Sequence, residues 1–163
     1  MNPANAALQY KSIDMTKWFE DPNGPATAAF KPTPHDVWTI GWGHTRGVQE
    51  GDTCTPEEAT AMLAQDMADA ESAVKRRVDI PLTQGAYDAL VDFVFNLGEG
   101  NFAASTLLRL LNAGSVLSAS NEFAKWVYQT DKRTGAKIKL AGLVKRREAE
   151  RLVFLGQPWE NAK

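Results

Sequence analysis

The stretch HDVWTIGWGHT, residues 35–45, places two glycines one residue apart among bulky side chains. This pattern predicts a short strand whose backbone another group approaches closely, because glycine has no Cβ to hold that group away. Alternate residues of a strand share a face, so a small set opposes a bulky set: Thr39, Gly41 and Gly43 against Trp38, Ile40 and Trp42. The small face is compatible with the floor of a ligand cleft and equally with a surface packed beneath a helix.

The segment before this stretch predicts one short helix and then strands. Apolar residues recur at helical spacing over residues 13–19. The prolines and glycine of EDPNGP, residues 20–25, end that helix. Residues 28–48 predict short strands and turns, because prolines interrupt any longer regular element there.

After Cys54 the pattern predicts helices to the end of the chain. In TPEE, residues 55–58, Thr55 is placed to cap a helix, Pro56 suits its first position and Glu58 completes a capping box. Further helices are predicted around residues 87–98, 105–114, 123–127 and 143–155. A strand-rich part followed by a helical part is an α+β pattern.

The composition is that of one folded domain and gives no case for a nucleic-acid partner. The chain has 163 residues, 44% of them hydrophobic, and a formal net charge of -2. Basic residues concentrate between residues 132 and 151, which is compatible with an anionic polymer as partner and equally with a solvated helix face. The lone Cys54 excludes an internal disulfide and is typical of a reducing compartment.

The sequence also predicts no stable membrane insertion. No stretch approaches the roughly 18 consecutive apolar residues of a transmembrane helix. Residues 1–15 lack the basic and apolar regions of a signal peptide. We therefore expect a protein that stays in the cytoplasm until something else releases it.

Two side chains are candidates for chemistry. Glu20 follows Trp18 and Phe19 at a predicted helix end, so its carboxyl group is expected to face an apolar wall, a setting that suits a general acid. An ordinary surface glutamate is the alternative. Thr39 supplies the hydroxyl group of the small strand face, which suits the floor of a cleft holding a polymer or a water.

His44 and Asp66 are predicted to form a structural pair. Asp66 lies on the apolar stripe of the long helix, three residues after Leu63, so its carboxylate points inward and needs a partner. We assign that partner as His44, which ties the strand region to the helix.

Metal, nucleotide and serine-hydrolase sites are not predicted, and we expect no cofactor. Neither histidine nor Cys54 falls into a metal-ligand spacing, and no glycine-rich phosphate loop or serine-nucleophile motif occurs. Carboxylates around a cleft remain, and they point to glycoside hydrolysis.

Six blocks occur in order between about Ser12 and Leu155. They are KWFE (17–20), VWTIGWGHT (37–45), TPEEATAMLAQDMADAESAV (55–74), PLTQGAYDALVDFVFNLGEG (81–100), STLLRLLNAG (105–114) and GLVKRREAERLVFL (142–155). In this order they resemble the phage-type lysozymes, or endolysins, of glycoside hydrolase family 24. The resemblance implies a lysozyme-like α+β fold in a single domain, 1–163. Its parts are a small strand-containing lobe (12–54), a long helix (55–78) and a larger helical lobe (80–157), with the cleft between the lobes.

The resemblance also implies an activity. Members are muramidases that cleave β-1,4 bonds between N-acetylmuramic acid and N-acetylglucosamine in peptidoglycan during host-cell lysis by a phage or prophage. Glu20 matches the family's general acid, and Thr39 matches the threonine that positions the attacking water. The family inverts configuration, which requires carboxyl groups about 6.5–9.5 Å apart with a water between.

One position departs from the family pattern. Thr33 stands where the family has its second carboxylate, an aspartate, and the loop between Glu20 and Thr39 is longer than in the family. We assign Asp36 as the base, with Asp21 a weaker candidate. The alternative is that Thr33 takes part and the role of the base is weakened or shared.

The resemblance further implies substrate contacts and partners. The saccharide contacts are Thr45, Phe95, Asn96 and Asn121. The partners are peptidoglycan glycan strands, reached by a monomer that a separate holin releases from the host cytoplasm to act on the wall in the periplasm. Two alternatives stay open: a cell-wall-binding protein with little activity, and a lytic transglycosylase, which needs only one acidic residue.

Overall fold

A computed structural model describes residues 1–131 and 133–163, so Lys132 lies outside the described residues. The elements are α1 (Ile13–Glu20), β1 (Ala26–Phe30), β2 (Thr39–Gly41), α2 (Pro56–Arg77), α3 (Gln84–Leu97), α4 (Glu99–Ala103), α5 (Thr106–Asn112), α6 (Val116–Glu122), β3 (Tyr128–Thr130), β4 (Lys137–Lys139) and α7 (Ala141–Phe154). The predicted α+β class is confirmed, since helices accompany two small antiparallel sheets. Within the described residues, no helix has the length and apolar character needed to cross a bilayer.

The chain divides into two compact units. Residues 13–69 form one unit, and residues 1–12 together with residues 70–163 form the other. The division into lobes over residues 12–54 and 80–157 stays a prediction.

In the unit of residues 13–69, β1 and β2 form an irregular antiparallel hairpin. Ala26 lies opposite Gly41, and the register shifts before the next pair. On the other edge of β1, the Ala29 N–H donates to the Asp52 carbonyl at 2.9 Å. Backbone bonds on both edges therefore hold β1 in place.

The opening stretch is a strand only in part. Gly41 and Gly43 have φ angles of +65° and +88°, a region that glycine adopts without penalty, and the chain reverses there. After the reversal, Ile40 and His44 exchange two backbone hydrogen bonds of 2.9 Å. The prediction of alternating faces is therefore wrong beyond Gly41, and all three residues of β2 are buried, Thr39 and Ile40 included.

Different parts of the chain approach the two glycines. A Cβ on Gly41 would lie 3.2 Å from the Cβ of Ala59, so Gly41 is packed beneath α2. A Cβ on Gly43 would lie 3.1 Å from the Oε2 atom of Glu20. The helix-packing interpretation of the small residues thus holds for Gly41, whereas Gly43 lies against a candidate catalytic carboxylate.

The predicted capping box at the start of α2 is confirmed. The Glu58 N–H donates to the Thr55 hydroxyl oxygen at 3.1 Å, and the Thr55 N–H donates to the Glu58 carboxylate at 2.8 Å. These reciprocal bonds satisfy backbone donors that the first turn of a helix leaves unpaired.

Aromatic rings form the core of the other unit. Phe93 in α3 meets Phe102, Phe123 and Trp126 edge to face, with ring centroids 6.3, 5.3 and 5.7 Å apart. Such pairs add about 0.5–1.5 kcal/mol each to the effect of burial alone. α3 is thereby the central element of this unit.

The prediction of helices throughout the second half is wrong in one region. Tyr128–Thr130 and Lys137–Lys139 pair as the antiparallel β3–β4 hairpin, and Gly135, shortly before β4, has φ +71°. The predicted helix over residues 123–127 is instead a short 3₁₀ turn, Phe123–Lys125, after α6. Aromatic and β-branched residues such as Tyr128 and Ile138 favour strands, and this local preference prevails.

The solvated-face interpretation of the basic stretch is wrong for two residues in α7. Arg146 and Arg147 are only 3% and 1% exposed. Lys137 and Lys139 are exposed on β4, whereas Lys132 lies outside the described residues. The stretch therefore contains core cations as well as surface cations.

Gly85 in the first turn of α3 provides a test of the α3–α7 packing. A Cβ there would overlap the carbonyl oxygen of Val153, a backbone atom that cannot turn aside. We expect Gly85→Ala to lower the free energy of unfolding by about 1–3 kcal/mol.

Gly142→Ala in α7 is the matched control, because a Cβ there meets nothing within 4 Å. Helix propensity predicts that the control gains about 0.5–1 kcal/mol. Urea unfolding measures both, and equal effects of the two substitutions would contradict the packing.

Candidate functional site

Glu20 ends α1 immediately before a sharp turn of the chain. The Asp21 N–H donates to the Lys17 carbonyl at 3.0 Å, and the Asp21 carboxylate accepts from the Asn23 N–H at 2.8 Å. These bonds close the last helical turn and start the loop. The half-buried Glu20 side chain is thereby held at a fixed helix terminus.

The Glu20 carboxylate lies close to Gly43 of the VWTIGWGHT motif. Its Oε2 atom is 3.1 Å from the place that a Cβ on Gly43 would occupy, so a larger residue at position 43 would crowd it. Two segments that are separate in the sequence, the end of α1 and the turn after β2, therefore meet at the candidate acid.

Thr33 and Asp36 form a hydrogen-bonded pair in the loop between β1 and β2. The Thr33 hydroxyl donates to Asp36 Oδ2 at 2.8 Å, and the Asp36 N–H donates to the Thr33 carbonyl at 3.0 Å. The two residues that the sequence offers as alternatives are thus partners, since the hydroxyl of one orients the carboxylate of the other.

Thr39 is the first residue of β2 and is only 9% exposed. Its hydroxyl donates to the Val37 carbonyl at 3.2 Å. Because the hydroxyl proton is used in this bond, the oxygen lone pairs are what Thr39 offers to a further donor such as water.

The predicted His44–Asp66 pair is confirmed. His44 Nδ1 lies 2.8 Å from Asp66 Oδ2, and His44 Nε2 lies 3.0 Å from the Arg46 carbonyl oxygen. Both side chains are largely buried, at 15% and 18% exposed. A hydrogen bond of this charged type contributes about 1.5–3 kcal/mol, so the pair fixes the turn after β2 to α2.

The predicted saccharide contacts differ in their surroundings. Thr45 is exposed and lies in the unit of residues 13–69. Phe95 and Asn96 are half-buried in the last turn of α3, and Asn121 is exposed in α6. Phe95 lies 5.9 Å from the Arg146 guanidinium, and Asn96 Oδ1 accepts from Arg147 Nη2 at 2.9 Å.

Comparison with known proteins identifies the family. Residues 23–150 match the family described as phage lysozyme. The chain belongs to the phage lysozyme family. It is therefore a glycoside hydrolase, a muramidase that acts on peptidoglycan in phage-mediated host-cell lysis.

Individual members agree with this assignment. The lysozyme is 44% identical over 117 residues to an endolysin of Acyrthosiphon pisum secondary endosymbiont phage 1, covering 72% of this chain and 79% of the relative. The muramidase domain of SpmX from Asticaccaulis excentricus superposes with a TM-score of 0.81 at 36% identity, covering 90% of this chain and 99% of that one. An endolysin from Escherichia coli O157:H7 phage FAHEc1 has a TM-score of 0.81 at 29% identity, covering 92% and 95% of the two chains. The predicted lysozyme-like fold is confirmed.

Three charged residues near Phe95 and Asn96 were not predicted from the sequence of this lysozyme. They are Arg146, Arg147 and Glu150. A usable signal was present, because these three charges fall three, four and seven residues after Leu143, at the spacing of an inward helical stripe. The same criterion correctly identified Asp66 as an inward carboxylate.

Proposed function

We propose that the lysozyme hydrolyses the muramyl bond with inversion, using Glu20 as general acid, Asp36 as general base and Thr39 to position the water. The observation that carries this proposal is the approach of the Glu20 carboxylate to Gly43, where a Cβ would lie only 3.1 Å from Glu20 Oε2. It joins the helix-end glutamate to the motif that contains Thr39. The bond from the Asp21 N–H to the Lys17 carbonyl orders the backbone around Glu20, which favours a defined position for a group that must meet one glycosidic oxygen.

In this mechanism Glu20 donates its proton to the glycosidic oxygen as the bond to the anomeric carbon breaks. A water attacks the anomeric carbon from the opposite face and loses a proton to the Asp36 carboxylate. The Thr33 hydroxyl holds that carboxylate in position through the 2.8 Å bond. Since Thr39 already donates to the Val37 carbonyl, it accepts a hydrogen bond from the water. The water then donates one hydrogen bond to Thr39 and one to Asp36, and it directs a lone pair at the anomeric carbon.

The proposal extends to substrate contacts and cellular context. Thr45, Phe95, Asn96 and Asn121 offer a hydroxyl, an aromatic ring and two amides, the groups that bind sugar hydroxyls, pyranose faces and N-acetyl groups. We propose that the lysozyme acts as a monomer on the periplasmic wall after a separate holin opens the membrane.

Analysis of the reaction products tests the proposed chemistry. Purified peptidoglycan treated with the lysozyme is expected to release fragments with free reducing ends, initially of the inverted anomer by NMR. Anhydromuramyl ends would instead identify a lytic transglycosylase, and wall binding without new ends would identify a binding protein.

In Gram-negative host cells that produce the protein, turbidity is expected to fall only after the inner membrane is permeabilised. Lysis without permeabilisation would contradict dependence on a holin.

A further inference from the structure

Four charged side chains form a buried cluster in the unit that contains α3 and α7. Arg146 donates to both carboxylate oxygens of Asp92, at 2.9 and 3.0 Å. Arg147 donates to Glu150 at 2.7 Å, and Arg146 lies 3.8 Å from the same carboxylate. All four are buried, none more than 4% exposed in its side chain. The cluster pairs two cations with two anions.

Burial works against these charges individually. It raises the pKa of Glu150 well above its usual value, and it lowers the pKa of Arg147, because each group has left water for the protein interior. A buried ion pair of this kind adds little stability over apolar residues of similar volume. The Arg147–Glu150 pair is better explained by the neighbouring side chain that its geometry holds in place.

Asn96 is the group that Arg147 holds. The guanidinium bonds to Glu150, stacks 5.1 Å from the Phe93 ring centroid and donates through Nη2 to Asn96 Oδ1 at 2.9 Å. The Arg147 guanidinium can only donate hydrogen bonds. It therefore bonds to the oxygen of the Asn96 amide and never to its nitrogen, which sets the orientation of that amide. Across residues 1–131 and 133–163, nothing accepts a hydrogen bond from Asn96 Nδ2.

We propose that Arg147 is a positioning residue, which with Glu150 fixes the Asn96 amide so that Nδ2 donates to the N-acetyl carbonyl oxygen of a bound sugar. This inference rests on the proposed function, in which Asn96 contacts the glycan. An amide free to rotate by 180° presents either a donor or an acceptor. A sugar hydroxyl can pair with either end, whereas an acetamido carbonyl oxygen pairs only with a donor. A fixed donor therefore matches the N-acetyl group.

The test compares two substrates and three variants. The substrates are soluble uncross-linked peptidoglycan strands and the same strands after chemical N-deacetylation. Asn96→Leu removes the donor, and the double variant Arg147→Met with Glu150→Met removes both charges of the buried pair while filling the space. Arg151→Lys in the same helix is the control, since Arg151 pairs with Glu148 instead.

Both test variants are expected to raise KM for the N-acetylated strands by about 3- to 10-fold, the effect of one neutral hydrogen bond. The kcat changes by less than about two-fold, because the bond forms equally in the ground state and the transition state. Both variants also lose the wild-type preference for N-acetylated over N-deacetylated strands, whereas Arg151→Lys keeps it. An unchanged preference in Asn96→Leu would overturn the inference.

A second measurement is independent of whether the double variant folds. In the inactive Glu20→Gln protein, the Asn96 side-chain amide resonances are expected to shift when N-acetylated strands are added and to remain in place with N-deacetylated strands. Equal responses to the two substrates would overturn the inference. Wild-type protein that releases no reducing ends would refute the proposed function instead, so the two failures are distinguishable.

Discussion

Glu20→Gln is expected to lower the rate of reducing-end release from purified peptidoglycan by about 10²- to 10⁴-fold, the usual contribution of a general acid. Glutamine has nearly the same shape as glutamate, so it fits the space beside Gly43, and the end of α1 is retained. What it lacks is a transferable proton for the leaving glycosidic oxygen. The loss is expected in kcat, with wall binding preserved, because the proton is transferred only as the bond breaks.

Asp14→Asn is the matched control for this substitution. Asp14 is an exposed acidic residue in the first turn of the same helix, α1. Its replacement removes one negative charge from the helix without touching the turn after β2. We expect wild-type activity, and a comparable loss in both variants would mean that Glu20 acts through charge or stability rather than as an acid.

Asp36→Asn is expected to reduce the same rate by about 10²- to 10⁴-fold, because asparagine cannot take a proton from the attacking water. Thr33→Ala is expected to lose less, about ten-fold or below, since it removes one hydrogen bond that orients the carboxylate and leaves the carboxylate itself. Initial rates on purified peptidoglycan give this order directly. The reverse order would transfer the principal role to Thr33.

Asp21→Asn controls for loss of an acid elsewhere in the loop after α1. Asp21 accepts a backbone hydrogen bond from Asn23, which the asparagine oxygen can also accept. Activity near the wild-type level is therefore expected. A large loss in Asp21→Asn with little effect of Asp36→Asn would move the base to Asp21.

Much of the fold could be predicted because its signals are local. The capping box of Thr55 and Glu58 depends on residues three positions apart. The helix predicted to begin near residue 105 is α5, where the Ser105 hydroxyl accepts from the Leu108 N–H at 3.1 Å. Asp66 was predicted to point inward because helical spacing alone shows which face it shares. The exposed β3–β4 hairpin lacked a comparably strong signal.

The candidate site was predictable where a motif carries it and ambiguous where the loop departs from the family pattern. Glu20 and Thr39 follow from the motif, and their roles stay proposals. Thr33 and Asp36 could not be ranked by spacing, because a longer loop shifts residues by an amount that sequence does not give. The structure shows that the Thr33 hydroxyl and the Asp36 carboxylate are hydrogen-bonded to each other.

By itself, the sequence determined the α+β class, the starts of α2 and α5, the family and the partnership of His44 with Asp66. Only the tertiary structure decided that Gly41 and Gly43 turn the chain rather than extend a strand. It also decided which groups pair with the buried Arg146 and Arg147, because Asp92 and Asn96 lie 54 and 51 residues earlier in the chain. Helical spacing indicates which face a charged side chain shares, but the group that pairs with it in the interior depends on what folding brings opposite, and local spacing does not contain that information.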